Sequence, residues 1–230
     1  KFMIFRQLFD YETYTYTYLI GDEKTKEAVL IDSVYEQAER DYKLVTELGL
    51  DVKYLLETHV HADHITGVSR LKEFFPEAKS VVSRFGGADC TDKPVDEGDE
   101  IRIGEISIKV LSTPGHTNGC VSYSVGSMVF SGDALFIRGS GRTDFQQGSS
   151  EKLYDSVINK LFKLPDETIV YPGHDYKGMH YSTIGEEKKF NPRFAGKSKE
   201  EFIEIMNNLK LPNPKKIHEA VPANLQCGKV

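Results

Sequence analysis

The chain has 230 residues, 39% hydrophobic and 28% charged, with a net charge of −6. Such a composition supports a globular fold with a substantial core and excludes a general polyanion-binding surface, so neither nucleic acid nor membrane is expected as a partner. No apolar run approaches the roughly 20 residues of a membrane span. Cys90, Cys120 and Cys227 are odd in number and widely spaced. No disulfide framework or cysteine metal site is expected from them, and a reducing compartment is. The chain opens on Lys1, which leaves an upstream targeting segment open.

Phe2 to Phe9 reads as a strand. Thr13 to Ile20 alternates strictly and reads as a strand with one solvent face, its tyrosines Tyr14, Tyr16 and Tyr18 serving cross-strand packing. Glu27 to Asp32 is a short buried strand ending in an acid. Tyr35 to Leu48 places Ala38, Tyr42, Val45 and Leu48 on one helical stripe that Gly49 stops. Strand Val52 to Thr58, helix Ile65 to Phe75 and strand Lys79 to Ser83 follow. Four short strands come next: Glu100 to Ile103, Ile106 to Leu111, Cys120 to Val125 and Met128 to Phe130. Helix Glu151 to Phe162 and strand Thr168 to Tyr171 precede two helix starts, at Thr183 and Ser198. Thr183 to Glu186 has the capping-box pattern. The tail from Leu211 carries Pro212, Pro214 and Pro222 and reads as irregular. With no repeat or composition break, residues 1–230 form one domain, two sheets packed face to face with helices outside.

Chemistry concentrates in Glu57 to Gly67, where His59, His61, Asp63 and His64 fall within six residues behind an apolar strand. In extended backbone His59 and His61 point the same way, and a helix starting near Asp63 would present Asp63 and His64 at its first turn. Neutral nitrogen plus hard oxygen suits a divalent or redox metal. Three further strands end beside His116 (in Thr113-Pro-Gly-His-Thr), Asp133 (in Ser131-Gly-Asp) and His174 (in Tyr171-Pro-Gly-His). Four strands thus deliver metal-ligand side chains at their carboxyl ends, where α/β proteins build sites.

In this order, the four segments resemble the ligand set of the metallo-β-lactamase superfamily, which implies an αββα sandwich with the site at one edge of the sheets. Asp133 to Gly148 is similar to the persulfide dioxygenase (sulfur dioxygenase) family, which includes the ethylmalonic encephalopathy protein. Arg6 to Phe9, Thr17 to Asp22, Tyr171 to Gly178, Asn191 to Phe194 and Val221 to Gly228 carry the same likeness. One departure is Ser140, where the human member has Cys; serine is the poorer nucleophile, so no essential covalent role is expected there.

The resemblance implies one Fe(II) per chain held by His59, His116 and Asp133. His61, Asp63, His64 and His174 would be hydrogen-bonding residues around it. Arg142, Tyr176 and Arg193 would contact substrate, since arginine forks suit glutathione's carboxylates. The implied reaction consumes glutathione persulfide, O₂ and water and yields sulfite and glutathione, in sulfide catabolism. No rhodanese domain is fused; a rhodanese in the same pathway and a homodimer are partners that the family admits. The bacterial cytoplasm, or the mitochondrial matrix if the source is eukaryotic, is the expected location.

From spacing alone a dinuclear hydrolase fits equally, because all seven donors of a two-metal site are present. The rival is a glyoxalase II-like thioesterase acting on glutathione thioesters. Against it, Gly141 to Gln147 lacks that family's aromatic-rich character, and the tail after His174 is short.

Overall fold

In the computed structural model, which describes residues 3–230, the strands form two six-stranded sheets. The first holds β1 (Met3–Asp10), β2 (Thr15–Asp22), β3 (Glu27–Ile31), β4 (Asp51–Leu56), β5 (Lys79–Ser83) and β6 (Lys93–Val95), in that spatial order. β1, β2 and β3 pair antiparallel, and β3 to β6 run parallel. The second sheet runs β12 (Ser182–Thr183), β11 (Ile169–Pro172), β10 (Met128–Gly132), β9 (Val121–Val125), β8 (Ile106–Ser112) and β7 (Glu100–Ile103). Only β10 and β11 are parallel there. Phe2, the expected start of the first strand, lies outside the described residues.

Three apolar layers explain the stacking. Ile20, Ile31, Leu56 and Val81 of the first sheet meet Ile108, Val110, Tyr123 and Phe130 of the second. Leu19, Leu30 and Leu55, on the opposite face of the first sheet, pack on α1 (Ala38–Glu47) and α2 (Val68–Phe74). Val129 and Val170 of the second sheet pack outward on α3 (Ser150–Asn159), α4 (Ile184–Phe190) and α5 (Lys199–Asn207). This is the expected αββα sandwich of the α/β class. No helix among the described residues is long and apolar enough to cross a membrane.

Four local expectations change. β2 has no solvent face: every residue is buried, because its two faces enter two different apolar layers. Tyr14 lies in the turn before β2 at φ 58°, while Tyr16 and Tyr18 pack cross-strand on Phe9 and Phe5 as expected and also donate to the Met179 and Pro172 carbonyls (2.5 Å each). The capping box forms at Ser198 with Glu201, not at Thr183. Thr183 does cap its helix, but the Glu186 carboxylate accepts from Ser182 (2.9 Å) and pairs with Arg138 (2.9 Å) instead. The proline-bearing tail contains a helix, α6 (Ile217–Leu225), with Pro222 inside it.

Finally, Cys90 and Cys227 form a disulfide across 137 residues of sequence, with Cα atoms 6.1 Å apart. Spacing could not reveal that pair, because α6 folds back onto the 85–92 loop only in three dimensions. The inference of a reducing compartment from the cysteine count loses its basis. Cys120 is free and buried, and burial pushes its thiol up to about 12.

Candidate metal centre

β4, β8, β10 and β11 deliver His59, His116, Asp133 and His174 respectively from their carboxyl ends, so both sheets contribute. β3 ends beside them with Asp32. The Pro-Gly turn before His116 needs its glycine: Gly115 has φ 144°, and a Cβ there would lie 2.4 Å from the Leu153 backbone on α3. α2 begins at Val68, so Asp63 and His64 sit in the turn before it rather than in its first turn.

One donor atom each from His59, His116 and Asp133 gathers within 4.8 Å. His59 Nε2 lies 3.8 Å, and His116 Nε2 3.3 Å, from Asp133 Oδ2. Those gaps are longer than good hydrogen bonds, and one ion with bonds of about 2.0–2.2 Å spans them. Each imidazole is turned by its other nitrogen. Thr58 donates its hydroxyl to Asp32 Oδ2 (2.8 Å), so its oxygen accepts from His59 Nδ1 (2.9 Å). His116 Nδ1 donates to the Arg142 carbonyl (2.6 Å). Both Nε2 atoms therefore keep a lone pair for the centre. Burial, then the neighbouring His61 and His116, holds His59 well below the usual imidazole range, which favours its neutral, ligating form. Asp133 Oδ1 is buried without a hydrogen-bond donor. A carboxylate with one orphaned oxygen, whose other oxygen faces two free imidazole nitrogens, fits a resident cation.

His61, Asp63 and His64 form a second group within 4.8 Å. His174 stands between the two groups, Nε2 3.5 Å from Asp63 Oδ2 and 3.4 Å from Asp133 Oδ1, and its Nδ1 donates to the Tyr14 carbonyl (3.2 Å). Burial pulls His174 down, but Asp133 and Asp63 outweigh it and hold the ring above its ordinary range. His64 Nε2 is buried and unpartnered. His61 is engaged elsewhere: its Nε2 lies 3.0 Å from both Asp32 Oδ1 and Glu57 Oε2. Burial lowers His61, yet the Asp32 and Glu57 charges and hydrogen bonds raise it well above the usual value.

Sequence reasoning missed Asp32, Thr58 and the Arg142 carbonyl as orienting groups. Only Asp32 left a trace, as the acid ending an apolar strand.

The expected substrate residues behave differently from one another. Arg142 turns its guanidinium onto Asp144 in two hydrogen bonds (2.6 and 2.8 Å), onto the Pro212 carbonyl (2.6 Å), and over the Phe145 ring. Tyr176 is exposed, its ring parallel to His174 at 6.0 Å and 5.3 Å from that of Tyr14. Arg193 is half-buried and donates to the Ser140 carbonyl (2.7 Å) and hydroxyl (3.0 Å). It has no carboxylate partner among the described residues.

Residues 10–174 match the metallo-beta-lactamase superfamily. The mouse mitochondrial persulfide dioxygenase ETHE1 is 51% identical over 228 residues, 98% of this chain and 89% of that protein. The human protein of the same name is 50% identical over the same shares. The crystal structure of ETHE1 from Myxococcus xanthus superposes with a TM-score of 0.97 at 58% identity, covering 99% of this chain and 100% of that one. The chain belongs to the metallo-β-lactamase superfamily and, within it, to the persulfide dioxygenases.

Proposed function

We propose that the protein oxidises glutathione persulfide with O₂ and water to sulfite and glutathione, at one Fe(II) held by His59, His116 and Asp133. The observation that carries this reading is the donor set itself: two imidazoles with free Nε2 atoms and one carboxylate, converging without a thiolate, in a chain about half identical to named persulfide dioxygenases. His59, His116 and Asp133 would hold the iron, which when bound would supply the redox chemistry between persulfide and O₂.

The chain's own residues bind and orient. Arg193 offers a half-buried cation, fixed through Ser140, to a glutathione carboxylate. Ser140 acts by holding that guanidinium. Arg142 binds substrate by exchanging Asp144 for the incoming carboxylate, while its carbonyl keeps His116 turned. Tyr176 and Tyr14 form an aromatic lip beside His174. His61, Asp63, His64 and His174 complete the walls with hydrogen bonds. Residues 1–230 act as one domain. A rhodanese as persulfide source, a homodimer, and a matrix location (or the cytoplasm of a bacterium) belong to the same proposal.

A glyoxalase II-like hydrolase of glutathione thioesters is the second reading, favoured by the second donor group around Asp63. One vessel separates the two. Iron-loaded protein given fresh glutathione persulfide takes up O₂ matched by sulfite if the first holds. Thioester hydrolysis without O₂ uptake, with two metals per chain, would replace it.

A further inference from the structure

The stretch Val221 to Gly228 supplies no donor to the metal set, yet α6 ends against the metal loop. Asn224 is buried, and its Nδ2 donates to the His61 carbonyl (2.9 Å) and the His64 carbonyl (2.8 Å). Its Oδ1 accepts the Thr66 N–H (2.8 Å). An amide can make four hydrogen bonds, and three of these go to one loop some 160 residues away in sequence. No other hydrogen bond among the described residues reaches those two carbonyls.

Besides Leu225, which packs on Val60, Val82 and Ala88, little keeps α6 in place. Only Ala220 and Asn224 of the helix are buried, and Pro222 interrupts its hydrogen-bond ladder. Two attachments follow the helix directly. Cys227 is bonded to Cys90, and Ser69 of α2 donates to the Gly228 carbonyl (2.6 Å). The disulfide thus lies three residues from the amide that holds the loop.

We propose that Asn224 is a positioning residue for the metal centre and that the Cys90–Cys227 bond locks it there, so that reducing this bond weakens metal binding. Reduction adds two electrons and two protons and leaves two thiols. Glutathione can supply them, two thiols closing to one glutathione disulfide. The inference rests on the metal assignment above.

The test is Fe(II) affinity of the full chain, measured anaerobically by chelator competition at a temperature where circular dichroism shows every variant folded. Hydrogen exchange at the Thr66 amide is read in parallel. Four proteins are compared: the disulfide-bonded wild type, Asn224→Asp, Cys90→Ser, and wild type reduced with a phosphine that is then removed. The phosphine takes oxygen from water, and the two hydrogens end on the sulfurs. Asn224→Asp keeps the acceptor but loses both donors, and should weaken binding about 10- to 100-fold, as loss of groups that orient ligands does. Cys90→Ser, which removes no metal donor, and the reduced wild type should weaken binding by a common, smaller factor and speed Thr66 exchange. Unchanged affinity in Asn224→Asp, even with lowered thermal stability, overturns the positioning role. Unchanged affinity and exchange in both Cys90→Ser and reduced protein overturn the lock. His59→Ala is the control: if it binds iron as wild type does, the metal assignment has failed instead.

Discussion

Arg193 and Arg142 carry the same charge and reach the substrate region under different terms. Among the described residues Arg193 has no carboxylate to release, whereas Arg142 must give up a bidentate partner. A charge-assisted hydrogen bond is worth about 1.5–3 kcal/mol. Arg193→Ala should therefore lower kcat/KM for glutathione persulfide by roughly ten- to a hundredfold through KM, with iron content unchanged. Arg142→Ala should cost less, because Arg142 gains a substrate carboxylate only by giving up Asp144, so its net contribution is smaller. Steady-state kinetics beside metal analysis checks both, and an Arg193→Ala enzyme with wild-type KM would remove that residue from the pocket. At this scale the metal donors were legible, because each follows an apolar strand and carries a ligating side chain. The groups that turn them were not. Thr58 is an ordinary threonine until its hydroxyl donates to Asp32 and leaves its oxygen free to accept from His59, and the Arg142 carbonyl has no side-chain identity to read.

At the scale of elements, the centre depends on how closely the β10 and β11 ends approach. Gly173 donates its N–H to the Gly132 carbonyl (2.8 Å), and its own carbonyl accepts from Tyr16 of β2 (2.9 Å). A Cβ on Gly173 would lie 2.6 Å from Asp133 Oδ1. Gly173→Ala should displace that carboxylate and lower metal content per chain at least tenfold while the far-UV spectrum stays native; full metal occupancy in the variant would show that the carboxylate can move without loss. Periodicity found the strands, since alternating and fully apolar runs are local properties. It misjudged β2, because a strand sandwiched between two layers still alternates in sequence when its inward polar positions are threonines. It also missed α6: Pro212 and Pro214 precede the helix, and Pro222 is held inside by Asn224 and the disulfide rather than by propensity.

Across the whole molecule, the layered architecture follows from the burial pattern, while the crosslink and the buried ionisable groups do not. Asp41 shows the second case. It lies wholly buried on α1, pairs with Arg40 (3.0 Å), and leaves Oδ2 without a partner. Burial, only partly offset by Arg40, raises its carboxyl to about 6 from an ordinary 3.8. The folded state thus holds a proton between these values that the unfolded state has released, so stability falls as pH rises through that window. The loss amounts to about 2–3 kcal/mol. Asp41→Asn should flatten this part of the stability profile, measured by urea unfolding at steps from pH 4 to 7; a slope identical to wild type would assign it to other groups.

Because His59 hangs from one sheet and His116 and Asp133 from the other, an ion held among them is also a rivet between the two layers. Heat and chelator then act on a single equilibrium: free metal at a hundred times its dissociation constant adds about 2.7 kcal/mol to the apparent stability. The melting temperature becomes a gauge of metal supply, and a starved cell would hold a softer protein, opening first along the edge where the sheets are pinned.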